Sequence, residues 1–244
     1  MNDPSESMKA GLFRLLGELG RQSPYLSHLA VRRALEGEAL GAKPALLREY
    51  LSEAVERELI HDAGRGWYSS LPIPATLDSE PVADLRQVLA KRFPFLPHYI
   101  WSTQQVNPWM HHLLGKFVRF VHVESDGADD VAAFLRKNGW EVIVNPTAKT
   151  ARDFASGERS VVVRGIRREF DPEVEPRVET VLVDLMLENS RLHLMDEGER
   201  QDMSLKLLTT NRVEMAGLLS RLGDHKRSLE DLAGSASRPI IAEK

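Results

Sequence analysis

Four histidines lie close together in the chain, His98, His111, His112 and His122, and imidazoles gathered in this way are first candidates for a metal site. The adjacent pair His111-His112 points in diverging directions on a helix. No carboxylate stands three or four residues away to complete a helical site, so the set reads as surface or interface histidines. Asp184 and Glu188 are one helical turn apart and could share a cation, although such a pair more often forms a solvated or salt-bridged face. Asp129-Asp130 opens a helix, where carboxylates meet the positive end of the helix dipole. A nuclease needs clustered carboxylates with a lysine near the strands, and Glu141 has no such company. The chain contains 0 Cys, which excludes disulfides, a thiol nucleophile and any cysteine zinc site. It also lacks G-x-x-x-x-G-K-[ST], G-x-G-x-x-G and G-x-S-x-G, the loops that cradle phosphates or raise a nucleophilic serine. The expectation is a protein without metal or cofactor that is not an enzyme. The alternative is a metal-dependent nucleic-acid-processing enzyme built on Asp184 and Glu188.

The remaining chemistry is anion binding, and it must be local. Net charge is −4 over 244 residues, so the molecule as a whole does not attract nucleic acid. Only residues 128–170 are net basic, with 8 Lys/Arg against 6 Asp/Glu, and the excess gathers in Lys149, Arg152, Arg159, Arg164, Arg167 and Arg168. Such a strip is either a solvated face or a contact to DNA backbone or an acidic protein surface. Trp101, Trp109, Trp140 and Tyr99 concentrate in the same half of the chain. They read as core anchors first and as a partner surface second.

These side chains need elements to hold them. Met8, Leu12, Leu15, Leu16 and Leu19 form one helical stripe, and Gly20 is a plausible stop. Ser23-Pro24 offers an N-cap with proline at the first helical position of a second helix running to about Leu35. Pro44 starts a third helix, to about Glu58, that buries Leu47, Leu51, Ala54 and Val55. Leu59-Ile60-His61 and Trp67-Tyr68-Ser69 flank a glycine-containing turn and read as a hairpin. Three helices followed by a hairpin is the order of a winged helix-turn-helix, whose third helix enters the major groove and whose wing touches the backbone or minor groove. On that expectation Lys43, Arg48 and Ser52 face the groove, Arg65 sits on the wing, and Arg32 and Arg33 grip phosphates. Glu49, Glu53 and Glu56 share the third helix and would repel phosphates. The same fold without DNA affinity, used as a protein-interaction scaffold, is the remaining alternative.

Residues 71–81 carry Pro72, Pro74 and Pro81 and read as a linker. Beyond it, strand patterns at Tyr99–Trp101, Phe117–Val123, Glu141–Val144 and Ser160–Ile166 alternate with short helices. Those helices are expected around Val82–Leu89, Pro108–Leu114, Asp129–Asn138 and Thr147–Ala155. In Phe117–Val123 the polar positions Arg119 and His122 mark a half-buried strand. From Val178 the pattern is fully helical, and Asn211 with Glu214 resembles a capping box before a last helix. The expected fold class is α+β, an N-terminal winged helix-turn-helix over 5–70 followed by a mixed α/β domain with a helical C-terminal part over 82–222. Residues 223–244 read as a possible flexible tail. No signal peptide is visible, and no apolar run approaches the roughly 20 residues needed to span a bilayer, so the expectation is cytoplasmic with no membrane partner.

With both halves read, the sequence resembles the antitoxin and regulator proteins of type IV abortive-infection toxin–antitoxin systems, the AbiEi-like family. The resemblance rests on residues 56–70 (ERELIHDAGRGWYSS), on residues 97–124 (PHYIWSTQQVNPWMHHLLGKFVRFVHVE), and on residues 141–187, with Asn-Pro after a strand, VVVRGI, a proline-bearing loop and ETVLVDLML. Membership would imply that the winged helix binds promoter DNA for autorepression. It would also imply that the C-terminal section neutralises a nucleotidyltransferase-like toxin protein, with Arg164, Arg167 and Arg168 as the charged partner contacts.

Overall fold

The leucine stripe of the first helix finds its partners locally. In the computed structural model, which describes residues 4–38, 44–150, 157–166 and 175–242, α1 (Pro4–Gln22) packs Leu12, Leu15 and Leu16 into a core. Val31 and Leu35 join from α2 (His28–Gly37), and Leu47, Tyr50, Leu51 and Ala54 from α3 (Pro44–Glu56). Each fully buried leucine contributes about 1.5–3 kcal/mol. Between α1 and α2 the chain departs from expectation. Ser23-Pro24 does not open the second helix; Tyr25–Ser27 forms a strand, β1, and the N-cap is Ser27, whose hydroxyl accepts from Ala30 N at 3.0 Å. The reason is non-local. Tyr25 and Leu26 are 0% exposed and pair antiparallel with the hairpin formed by β2 (His61–Asp62) and β3 (Trp67–Ser69), in the register Tyr25↔Ser69, Leu26↔Tyr68, Ser27↔Trp67.

After a 3-10 turn at Glu80–Val82 comes α4 (Ala83–Arg92), then β4 (His98–Ser102) and a 3-10 helix at Thr103–Trp109. That helix is closed at its start by a capping box of Ser102 and Gln105 and ends at Trp109, so the helix expected over Pro108–Leu114 is not formed; Leu114 N instead donates to Asn107 Oδ1. Next come β5 (Arg119–Glu124), α5 (Ala128–Lys137), β6 (Glu141–Val144) and β7 (Ser160–Ile166). Residues 148–150 form a turn, and the remainder of the helix expected over Thr147–Ala155 lies outside the described residues. The sheet has the order β4-β5-β7-β6, with β4 antiparallel to β5 and the other three strands parallel. Valines of one sheet face (Val121, Val123, Val161, Val163) meet Leu85 and Leu89 of α4 and Val131 and Leu135 of α5. β5 is central, so Phe120 through Val123 are all buried, His122 included, where a half-buried strand was expected. Then follow α6 (Val178–Leu192) and α7 (Glu197–Thr210).

The last part of the chain rejoins the first. Residues Met1–Ala75 with Ser204–Lys244 make one unit and Thr76–Met203 the other, each mixing helix and strand, so the fold is α+β. α8 (Met215–Asp224), α9 (Leu229–Ala233) and β8 (Ile241–Ala242) complete the first unit, and β8 pairs parallel with β1 to give the order β2-β3-β1-β8. The segment expected to fray is instead held by Leu229, Leu232 and Ile240, all buried. Asn211 does not cap α8. It closes α7, donating its N–H to Leu207 O, and α8 begins after Glu214 with no side-chain cap.

Candidate functional site

The first unit brings basic groups together from three separated segments. α2 begins at His28, whose backbone N donates to Gly66 O at 2.8 Å, which ties the start of that helix to the hairpin turn carrying Arg65. Arg32 follows His28 by one helical turn and lies on the same side of α2. Arg48, exposed on α3, acts on His28 and on the Tyr68 phenol of β3. Burial, then Arg48 and Arg32, hold the His28 imidazole below its ordinary pKa, so the site is electropositive before any ligand arrives. Among the described residues Arg48 and Arg65 enter no ion pair, and Arg32 has only a 3.4 Å pairing to Glu36 on the same helix. Arg33 and Ser52 are exposed. Lys43 lies outside the described residues.

Of the acidic residues on α3, Glu53 is already engaged. It pairs with Lys9 of α1 at 2.5 Å and with Arg57 at 2.6 Å, and Lys9 chiefly holds its carboxyl below the usual range. Glu49 and Glu56 remain exposed. His28 was not among the residues singled out from the sequence. A lone histidine after a serine carries no signal until the cap is known to be Ser27.

The second unit holds a polar row on the sheet face opposite its valine core. Tyr99 of β4 stands opposite His122 of β5, and His122 opposite Arg164 of β7. α6 supplies Asp184 and Glu188, one turn apart. The Tyr99 hydroxyl donates to Asp184 Oδ2 at 2.9 Å, and its ring stacks on the His122 imidazole at 4.5 Å between centroids. Trp101 Nε1 donates to His122 Nε2 at 3.2 Å. An indole N–H can only donate, so Nε2 is the acceptor and the imidazole proton sits on Nδ1. The approach of Asp184 Oδ2 to the same nitrogen at 3.6 Å is therefore not an ion pair. Burial, with Arg164 and Arg191 adding to it, pushes the His122 pKa down to about 3.

Glu188 accepts from Arg164 Nε and from Arg191 Nη1, each at 2.8 Å, and from Arg164 Nη2; Arg164 Nη1 donates to Pro146 O at 2.7 Å. This corrects the expectation for Arg164. Its side chain is 12% exposed and its guanidinium fastens β7 to α6, so it is not presented to a partner. Arg167 and Arg168 lie outside the described residues. Glu188 is likewise engaged by two guanidiniums, and no group of three metal-ligating side chains converges among the described residues. His111 and His112 owe their placement to their backbone N–H groups, which both donate to Glu199 Oε1 at 2.9 Å. Trp101 and Trp109 are buried, and Trp140 is flanked by the guanidiniums of Arg119 and Arg159 at 4.9 and 5.0 Å.

The molecule thus combines an α+β unit with exposed Arg32, Arg33, Arg48 and Arg65 and an α+β unit whose His122 and Glu188 are buried and, with Arg164, paired internally. A family of unknown function, DUF6577, matches residues 46–232, and the chain belongs to it. No curated protein and no solved structure matches the chain. No helix among the described residues is long and apolar enough to cross a membrane.

Proposed function

We propose that the protein is a non-enzymatic DNA-binding regulator whose first unit is a winged helix-turn-helix on promoter DNA. The observation that carries this reading is the order α1-β1-α2-α3-β2-β3, with β1 closed onto β3, together with the basic groups that this order gathers. α3 serves as the recognition helix, with Arg48 and Ser52 toward the groove, where arginine reads guanine edges. Lys43 precedes them in the same role. Arg65 is the wing contact, and Arg32 and Arg33 hold the backbone. The pairing of Glu53 with Lys9 and Arg57 offsets one of the three carboxylates that would oppose such docking.

In this reading the protein is the antitoxin and autorepressor of a type IV abortive-infection-like system in the cytoplasm. The second unit counteracts a nucleotidyltransferase-like toxin protein. Support for that half is the resemblance of residues 97–124 and 141–187, and partner contacts at Arg167 and Arg168 belong to it. Fluorescence anisotropy against the protein's own upstream DNA and an unrelated duplex, at two salt concentrations, tests the DNA half. Preferential binding to the upstream DNA that weakens steeply with salt is the expected result. Equal or absent binding to both duplexes sinks the repressor reading.

A further inference from the structure

We infer that the groove between residues 76–81 and 104–113 of the second unit docks an extended, cation-bearing segment of a partner protein by strand addition. The inference goes beyond the DNA-binding reading and stands without it, since every residue it uses lies in the second unit.

Both banks of the groove are built before any partner arrives. The end of the stretch that reads as a linker forms the first. Buried Gln105 accepts from Ser102 N at 2.9 Å and donates from Nε2 to Asp78 O at 2.6 Å, and Arg119 Nε donates to Pro81 O at 2.9 Å. The second bank is the 3-10 helix and the loop after it. Asn107 O accepts from Met110 N at 3.0 Å and Asn107 Oδ1 from Leu114 N at 3.1 Å, which closes the loop that carries Leu113. Between the banks lies an open groove of about 570 Å³, with Leu77, Pro81, Pro108, Trp109 and Leu113 as its apolar lining. Leu113 is 73% exposed, a large aliphatic side chain with little of its surface covered. Pro108 and Gln104 are exposed as well, so a small molecule here would stay largely in water. A longer ligand that lies along the groove fits it better.

Unmatched polar groups set the form of that ligand. The chain at Thr76 and Leu77 is neither helix nor turn, and its N–H and C=O groups make no hydrogen bond among the described residues. The Thr76 hydroxyl, the Gln104 side-chain amide and Asn107 Nδ2 are likewise without a hydrogen-bond partner among the described residues. An extended peptide brings alternating N–H and C=O groups to such an edge. Every second side chain then faces the apolar lining.

Charge sets the sign of the partner. Asp78 is the ionisable residue among the described residues lining the groove, and Glu80 N donates to its Oδ1 at 3.0 Å. Both carboxylates are exposed and enter no ion pair among the described residues. The second unit as a whole carries 16 Lys/Arg against 21 Asp/Glu. A segment with Lys or Arg beside its apolar residues is complementary to this groove, and an acidic one is opposed.

The test pans a phage-displayed library of random peptides on the full chain, then measures synthetic copies of the enriched peptides by fluorescence anisotropy. The enriched peptides are expected to combine apolar residues with net positive charge, and to shift the backbone amide NMR signals of Thr76 and Leu77. Leu113→Ser is expected to weaken them about tenfold or more, the loss of one leucine contact. Asp78→Asn with Glu80→Gln is expected to weaken them several-fold, by an amount that shrinks as salt is added. No enrichment, enrichment of acidic peptides, or binding indifferent to Leu113→Ser overturns the proposal. A native chain that sediments as a dimer, and that Leu113→Ser dissociates, makes a second copy the occupant and overturns the partner assignment. Melting temperatures check that the variants fold. Should Leu113→Ser lose stability, the carboxylate pair variant and the amide shifts decide. No arm contains DNA, so failure here and failure of the DNA-binding reading are distinguishable.

Discussion

Glu188 sits at 3% exposure between two guanidiniums, and the two contacts are unequal because their solvent exposure is unequal. Arg164 is 12% exposed and has no other carboxylate among the described residues, whereas Arg191 is 44% exposed and can be solvated. Replacing Glu188 by Gln strands the Arg164 charge in the interior and is expected to destabilise the fold by about 3–5 kcal/mol. Arg191→Ala is expected to cost less than about 1 kcal/mol, the range of a half-exposed pair. Urea midpoints at unchanged m-value measure both, and equal losses would refute the inward role of Arg164. His122 makes a prediction of opposite chemical character. Its folded pKa of about 3 lies below the ordinary imidazole value, so the unfolded chain takes up the proton first. The stability it contributes is complete above about pH 6.5 and is lost as pH falls toward about 3. His122→Gln, which keeps an acceptor for Trp101, is expected to flatten the fall in melting temperature across that interval. A native profile already flat there would show that His122 is charged when folded. The sequence showed the strand but not this residue's state, since Phe-Val-His-Val reads as alternating until β5 is known to be central.

At the scale of elements, the hairpin turn is held from behind by the chain's distant end. Gly64 has φ +91°, and a Cβ there would lie 2.6 Å from Glu214 Oε1 and 2.8 Å from the Ala216 side chain. Tyr25 Oη donates to Asn211 O and accepts from Val213 N, and Arg212 Nη1 donates to the carbonyls of Leu71 and Pro72. Gly64→Ala is expected to destabilise by at least about 1–3 kcal/mol through backbone strain alone, read as a drop in melting temperature. A chain ending at Gly223 loses α9 and the β8 pairing with β1. It is expected to lose the protected amides of Tyr25–Ser27 in hydrogen exchange; full protection would make the C-terminal segment dispensable. These dependencies explain what was legible in the sequence. The stripes of α1, α3, α5 and α6 could be read because 3.6-residue spacing is local information. β1 and β8, three and two residues long, have no period of their own and exist through partners dozens to hundreds of residues away. Asn211 and Glu214 match a capping pattern, but the Tyr25 phenol takes the Asn211 carbonyl and the pattern is not realised. The basic face was legible as residue types, while its assembly around His28 required knowing that Ser27, not Ser23, starts the helix.

For the whole molecule, the charge of −4 is distributed very unevenly between the units. The first carries 16 Lys/Arg against 15 Asp/Glu, and the second 16 against 21. A duplex is therefore repelled by the second unit and attracted only by the local face of the first, so affinity should follow the number of cations on that face and not the net charge. Arg32, Arg33, Lys43, Arg48 and Arg65 are the cations assigned to DNA. At about 0.9 counterion released per phosphate neutralised, these five limit the slope of log K against log salt to about −4.5. Removing Arg65 is expected to flatten that slope by about one and weaken all sequences alike. Removing Arg48 is expected to lower affinity for the upstream DNA more than for an unrelated duplex. Arg136→Ala and Arg159→Ala, exposed cations of the second unit, should leave the slope untouched. Anisotropy across a salt series on these four variants distinguishes the cases. A slope steeper than the first-unit cations allow, or one flattened by Arg136→Ala or Arg159→Ala, would move the nucleic-acid contact onto the acidic unit and overturn the division of labour between the two.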